Sequence, residues 1–199
     1  MSERKNAPNT EITVPCVHFS TPGRVNTPRT LEVAARRVKE LDIRNIVVAS
    51  SSGETGLEAA RLFRGKNLVI VTHSAGFLRP NYQEMDPDKR KRIEEAGAKI
   101  LTCQHALGGV NRAVRKKLGT YELDEIIAFA LRTMGEGLKV AIEISLMAAD
   151  AGLIPSGEPC LAIGGTGQGA DTALVLRPAN AQNFFDLKVM EILAKPRLE

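Results

Sequence analysis

Two short segments rich in serine, threonine and glycine hold the residue types best suited to binding an anion. The first spans residues 46–56, IVVASSSGETG, where four apolar residues precede a run of serines and glycines. A strand, a Ser/Gly loop and a helix in succession suit phosphate, because the first N–H groups of a helix lack backbone partners and the helix dipole favours an anion there. The hydroxyl donors, and the glycines that would let the backbone approach a ligand closely, are Ser50, Ser51, Ser52, Gly53, Thr55 and Gly56.

The second segment spans residues 164–171, GGTGQGAD, and follows another apolar run. Its glycines are more numerous than a tight hairpin needs. The residues that would line a ligand here are Gly164, Gly165, Thr166 and Gly167. Asp171 would either orient a ligand hydroxyl or brace the loop through a side-chain-to-backbone turn.

Both segments also have a purely structural interpretation. Residues 46–56 contain neither the Gly-Lys-Ser/Thr of a Walker A loop nor a GxGxxG fingerprint, so they could form a strand–helix turn with a good N-cap. Residues 164–171 could form a bulged hairpin. The sequence leaves these alternatives open beside phosphate binding.

Three further side chains are candidates for the same site. Thr72 and His73 end a second apolar run, residues 67–72, and His73 would serve either as a hydrogen-bonded loop residue or as a proton donor in catalysis. Glu143 interrupts an apolar helical pattern. We expect it to be a snorkelling or paired carboxylate rather than an acid catalyst, because buried charges are usually paired.

Helical and apolar patterns alternate along the first half of the chain. Thr27 should cap the first helix, with Pro28 at its first position. Strands are predicted at residues 45–49, 67–72 and 98–102, with helices near residues 55–63 and 86–97 between them. Repeated helix–strand units predict parallel strands joined by right-handed crossovers.

The second half begins with helices, predicted at residues 108–118, 121–134 and 138–151. Two more strands are predicted at residues 158–165 and 172–177. The link between them is too short for a parallel crossover, which needs about a dozen residues, so the last strand should run antiparallel. A final apolar segment, residues 184–193, is predicted to be helical.

These elements define a single α/β domain with three layers and a mostly parallel five-stranded sheet. We predict the strand order 3-2-1-4-5, because the long helical stretch before the fourth strand lets the chain return beside the first. Ligands bind outside the carboxyl ends of strands where the strand order reverses. Both Gly-rich loops would then flank one crevice suited to a phosphorylated small molecule or a flavin nucleotide.

Composition limits the classes of function. The chain has 199 residues, 43% of them apolar, a formal charge of +4 and no apolar run near the ~20 residues of a membrane helix. The polar residues 1–11 carry no secretory signal and should be flexible, and we expect a cytoplasmic protein. Three widely spaced cysteines support neither a disulfide framework nor a metal site. The scarcity of aromatic residues argues against nucleic-acid binding.

Residues 41–72 resemble the start of the carboxyl-terminal α/β domain of pyruvate kinase. In that family the first loop has the form T-x-S-G-x-S and binds a phosphate of the allosteric sugar bisphosphate. The matching positions here are Ser50, Ser52, Gly53 and Thr55, while Ser51 and Glu54 stand where that loop commonly has Arg or Lys. The kinase barrel, with its metal, ADP and phosphoenolpyruvate residues, has no counterpart, so the resemblance implies no pyruvate kinase activity.

Over nearly its whole length the chain is similar to a group of stand-alone proteins built on this domain. The motifs IVVASSSGETG, MAADAGLIP and GGTGQGADTA carry that similarity. It implies the five-stranded sheet and bound flavin mononucleotide (FMN), and it would allow a flavoenzyme. The alternative function is a non-catalytic sensor of a phosphorylated metabolite. The helix at residues 138–151 needs cover on two sides, which would allow a homodimer.

Overall fold

A seven-stranded mixed sheet forms the centre of the molecule in a computed structural model, which describes residues 11–197. Its strands are β1 (Val17–Phe19), β2 (Asn45–Ala49), β3 (Asn67–Thr72), β4 (Lys99–Thr102), β5 (Cys160–Gly164), β6 (Thr172–Arg177) and β7 (Lys188–Pro196). They lie in the order β1-β7-β6-β5-β2-β3-β4. Most of the segment predicted to be flexible, residues 1–10, lies outside the described residues.

The five strands predicted from the sequence, β2 to β6, are neighbours in the predicted order. The pairs β2–β3, β3–β4 and β2–β5 are parallel, while β6 is antiparallel to both β5 and β7. The direction of β6 follows from the short connection after β5, which cannot carry a crossover. The α/β class is confirmed, and the sheet is larger than predicted because β7 and β1 extend it beyond β6.

The prediction of a helix at residues 184–193 is wrong. A short 3-10 segment, Ala181–Asp186, leads instead into β7, which pairs along β6. Without β7, the edge of β6 would leave a row of backbone N–H and C=O groups without partners. Pairing with β6 therefore outweighs the local helical pattern of these residues. The sequence pattern could not predict this, because it contains no information about pairing with a distant strand.

Helices cover both faces of the sheet. They are α1 (Thr27–Glu40), α2 (Glu54–Leu62), α3 (Pro87–Glu95), α4 (Gly109–Leu118), α5 (Leu123–Arg132) and α6 (Glu136–Asp150). One core joins α1, α2 and α3 to the sheet face that carries Ile46 and Ile70. The other joins α6 to the face that carries Val47 and Val69. Among the described residues, no helix is both long and apolar enough to cross a bilayer.

The helix starts show where local signals hold and where tertiary contacts override them. Asp86 caps α3, since its Oδ1 accepts from the N–H groups of Asp88 and Lys89 at 3.0 Å. Thr27 is not the cap of α1, because it lies inside the helix. Its Oγ1 accepts from the Ala170 N–H at 2.9 Å and so fastens α1 to the loop after β5.

Two glycines let α6 lie very close to the sheet. A Cβ added at Gly164, in β5, would lie 2.3 Å from the carbonyl oxygen of Gly137, in α6. It would also lie 3.0 Å from the Ala141 nitrogen. Backbone atoms cannot rotate away as a side chain can, so any larger residue at Gly164 must push α6 outward.

We therefore expect Gly164→Ala to lower the free energy of unfolding by about 1–3 kcal/mol, the usual cost of overpacking a core. Urea unfolding followed by circular dichroism measures this. Ser156→Ala, at an exposed position before β5, is the control and should stay within about 0.5 kcal/mol of the parent. Equal stability of the two variants would contradict the packing role of Gly164.

Candidate ligand-binding site

A cavity of about 720 Å³ opens at the carboxyl ends of β2, β3 and β5. The parallel pair β2–β5 separates strands that wind in opposite directions, β3 and β4 on one side and β6 and β7 on the other. This is the switch point of the sheet, where open α/β folds leave a crevice. Both Gly-rich loops contribute to its lining.

The structure brings eight of the thirteen predicted site residues to this cavity: Ser50, Ser51, Ser52, Thr55, Thr72, His73, Gly165 and Gly167. It places five elsewhere: Gly53, Gly56, Gly164, Thr166 and Asp171. Gly164 lies under α6, as described above. The other four also have structural roles, and only that of Asp171 was among the roles predicted from the sequence.

Gly53 and Gly56 serve packing around α2. Gly53 has φ 90°, and a Cβ there would lie 3.0 Å from the Cβ of Lys89. A Cβ at Gly56 would lie 2.9 Å from Ile70 Cγ2 and 3.1 Å from Ile93 Cδ1. Substituting either glycine therefore disturbs the packing of α2 on its neighbours, and does not test ligand contact directly.

Asp171 braces the loop after β5, which is one of the two roles predicted for it. Its side chain is fully buried. Oδ2 accepts from the N–H groups of Gly23 at 2.8 Å and Thr166 at 3.1 Å, and Oδ1 accepts from the Thr172 hydroxyl at 2.8 Å. The carboxylate thus joins the segment before α1 to the Gly-rich loop, which holds Arg24 at the cavity.

The hydroxyl groups of the first loop divide into two sets. Ser50 Oγ accepts from the Gly56 N–H at 3.0 Å, so it closes the start of α2. The hydroxyls of Ser52 and Thr55 have no hydrogen-bond partner within residues 11–197, although Thr55 is only 6% exposed and both residues line the cavity. Thr55 is buried, where polar groups are normally paired, whereas Ser52 is exposed; both hydroxyls are therefore available to a ligand.

Ser51 belongs to a different arrangement, with His73 and Glu84. The register pairs Ala49 with Val71, so the residues two positions further on, Ser51 and His73, come side by side. Ser51 Oγ lies 3.3 Å from His73 Nε2, and His73 Nδ1 lies 2.7 Å from Glu84 Oε1. Sequence reasoning missed Glu84, since nothing in the loop around it indicates that it folds back.

An aromatic and cationic wall was also missed. Phe77 and His105 stack with ring centroids 5.0 Å apart, and the Arg112 guanidinium lies 5.0 Å above the Phe77 ring. Burial lowers the pKa of His105 to about 4, and the Arg112 charge acts in the same direction. The ring therefore stays neutral near pH 7, which suits stacking against a planar ligand.

The floor of the cavity is a buried ion pair on α6. Lys139 Nζ donates to Glu143 Oε2, and both side chains are almost fully buried. Burial opposes ionisation of Glu143, but the Lys139 charge and hydrogen bond outweigh it and keep the pKa of the carboxyl low. Glu143 Oε1 also accepts from the Leu107 N–H at 2.9 Å, so the expectation of a paired carboxylate is confirmed.

Within residues 11–197, no cluster of three His, Cys, Asp or Glu side chains could hold a metal ion.

Comparison with known proteins places the chain in a family. The model of the pyruvate kinase α/β domain matches residues 29–176, and the protein belongs to that family. The resemblance drawn from residues 41–72 is thereby confirmed.

A solved structure of Cryptosporidium parvum pyruvate kinase in complex with ADP is similar to this chain at 15% sequence identity and a TM-score of 0.41. The match covers 80% of this chain and 25% of that one. The present chain thus spans about a quarter of the length of the kinase it matches.

Because Asp171 braces the loop after β5, we expect even its replacement by asparagine to lower the stability of the protein. Asp171→Asn keeps the shape but replaces one acceptor oxygen by a donor, so at least one buried hydrogen bond is lost. We expect the free energy of unfolding in urea to fall by about 2 kcal/mol. Asp42→Asn is the matched control, because the Asp42 side chain is 81% exposed, and it should change stability by less than about 0.5 kcal/mol.

The lowered pKa of His105 predicts a pH dependence of stability. Between pH 4 and the ordinary value of 6.5, the unfolded chain binds more protons at this residue than the folded protein does, so stability rises with pH. His105→Gln should flatten the curve by up to about 1 kcal/mol per pH unit in that window. Denaturant unfolding at several pH values measures it, and parallel curves for both proteins would contradict it.

Proposed function

We propose that this protein binds a phosphorylated ligand in the cavity at the switch point, and that the ligand is FMN. The observation that carries the proposal is that the Ser/Gly loop after β2 and the Gly-rich loop after β5 line the same cavity. Its volume of about 720 Å³ falls within the range of roughly 300–1,000 Å³ found for small-molecule sites.

The phosphate subsite is the start of α2. The Leu57 N–H donates to the Gly53 carbonyl, and the Gly56 N–H is taken by Ser50. The N–H groups of Glu54 and Thr55 therefore precede the hydrogen-bonded ladder of the helix, where an anion is favoured. The free hydroxyls of Ser52 and Thr55 add donors, and the Arg24 guanidinium supplies positive charge.

Planar ligands suit the opposite wall, where the rings of His73, Phe77 and His105 lie together. Phe77 is 36% exposed, so its ring presents apolar surface to the cavity. Bound FMN would supply redox chemistry, and the protein would supply binding, orientation and electrostatics.

The charge of the lining favours one phosphate group over two. Two of its four strong cations are already paired, Arg132 with Glu136 and Lys139 with Glu143. Arg24 and Arg112 remain to face a ligand, while the carboxylates of Glu54, Glu58 and Glu84 also line the cavity. This balance of charge accommodates a single dianionic phosphate better than two phosphates. A sensor of a phosphorylated metabolite, the alternative function, would meet the same restriction, so a monophosphate is its better ligand.

A binding panel tests this assignment on the intact protein. FMN, riboflavin, a sugar monophosphate, fructose bisphosphate and inorganic phosphate are each titrated and followed by thermal shift, with flavin fluorescence for the first two. Binding of FMN at least tenfold tighter than riboflavin supports the FMN proposal and its phosphate subsite. Stabilisation by a sugar phosphate without FMN binding supports the sensor, and no binding by any of the five overturns both.

Arg24→Gln should weaken FMN binding about tenfold or more, because a charge-assisted hydrogen bond contributes about 1.5–3 kcal/mol. Arg29→Gln removes an exposed arginine of α1 that does not line the cavity, and it should leave the Kd unchanged. Riboflavin serves as the second control, since the loss at Arg24 should be confined to the ligand that carries phosphate. Equal losses for both flavins would contradict the placement of the phosphate.

A further inference from the structure

Ser51, His73 and Glu84 form a relay in which each member contacts the next. Ser51 Oγ and His73 Nε2 are 3.3 Å apart, and His73 Nδ1 and Glu84 Oε1 are 2.7 Å apart. An activated serine nucleophile needs a base within hydrogen-bond reach and a third group that orients the base, with looser contacts common in unliganded sites. Both requirements are met by these residues.

Glu84 fixes the protonation pattern of the histidine. An ionised carboxylate can only accept hydrogen bonds, so Nδ1 of His73 carries the proton that Glu84 binds. In the neutral ring this leaves the lone pair of Nε2 directed at the Ser51 hydroxyl. The imidazole is thus set to take a proton from Ser51.

The relay is accessible to a ligand. Ser51, His73 and Glu84 all line the cavity, and the side chains of His73 and Glu84 are 32% and 19% exposed. A purely structural relay would need no such access. The N–H groups of Glu54 and Thr55 lie at the start of α2, directly after the loop that carries Ser51. When no anionic ligand occupies them, they would stabilise an oxyanion that develops beside Ser51.

We propose that Ser51 is the nucleophile of an acyl-transfer site, with a small carboxylic ester as substrate. Ser51 Oγ attacks the ester carbonyl carbon while its proton passes to His73 Nε2. The tetrahedral intermediate collapses with cleavage of the bond to the leaving alcohol, which receives that proton, and the acyl group stays on Ser51. Water then attacks the acyl carbon with His73 as base, which releases the carboxylic acid and restores the serine.

A fluorophosphonate probe tests the nucleophile directly. Its phosphorus forms a bond to Ser51 Oγ, fluoride leaves, and the serine proton passes to His73. We expect intact-mass analysis to show one adduct on the parent protein and peptide mapping to place it on Ser51. Hydrolysis of p-nitrophenyl acetate should fall at least about 100-fold in Ser51→Ala.

Ser156→Ala is the matched control, because Ser156 lies outside the cavity, and it should keep both labelling and turnover. Thermal melting of each variant shows whether it is folded. A folded parent protein that takes no label, or a Ser51→Ala variant that is labelled and turns over ester like the parent, overturns the proposal.

The Glu84→Gln variant distinguishes a role of Glu84 in orienting the His73 ring from a role in packing alone. Glutamine has the same shape, but its amide can donate to Nδ1 and so favours the tautomer in which Nε2 carries the proton. The rate constant for inactivation, kinact, should fall about tenfold or more, while KI and the melting temperature stay the same. An unchanged kinact would remove Glu84 from the mechanism.

This inference goes beyond ligand binding and can fail separately from it. Labelling of Ser51 is measured with no flavin present, whereas the FMN proposal is read from flavin fluorescence. Adding FMN before the probe relates the two: protection of Ser51 places both in one cavity, as proposed here. Full labelling at saturating FMN would contradict that shared location.

Discussion

The close approach of α6 to the sheet is the constraint on which the rest of the site depends. Gly137 and Gly164 remove side chains from both sides of this contact, and a Cβ at Gly137 would lie 2.2 Å from the Thr172 hydroxyl. Dense packing of this kind transmits displacement, because interiors have few voids that could absorb it. Helix α6 therefore reaches the floor of the cavity, and Lys139 and Glu143 are buried there rather than left in solvent.

Burying that ion pair costs desolvation free energy that Coulomb attraction alone often fails to offset. The hydrogen bond from the Leu107 N–H satisfies a further lone pair of Glu143 and makes the burial tolerable. It also fixes the loop between β4 and α4, which carries His105. The main effect of the Lys139–Glu143 pair is therefore to position the wall of the cavity, not to add stability. The charge of Lys139 keeps the pKa of Glu143 low, so Glu143 stays ionised. The neighbouring His105 remains neutral chiefly because burial lowers its pKa.

The sequence predicted the central strands well because buried parallel strands appear as continuous apolar runs, which need no partner information to recognise. It failed at β7, whose pairing depends on the open edge of β6. Glycines were the least predictable site residues. Gly56 and Gly164 lie beside the two Gly-rich loops, yet each is required by a helix that packs against it. Glu84 could not be predicted either, because it reaches the cavity only through a loop that folds back onto His73.

The loop after β2 has one neighbouring segment on the side of β3 and another on the side of β5. The order of the strands in the sheet decides which residues lie on each side. On the side of β3, parallel register sets Ser51 beside His73. On the side of β5, Arg24 belongs to a segment whose backbone packs on Gly169, where a Cβ would lie 2.5 Å from the Arg24 Cα. Arg24 and His73 therefore lie on opposite sides of one loop. A ligand that carries an anionic group at one end and a reactive carbonyl at the other would match both sides, whereas a compact anion would occupy only one.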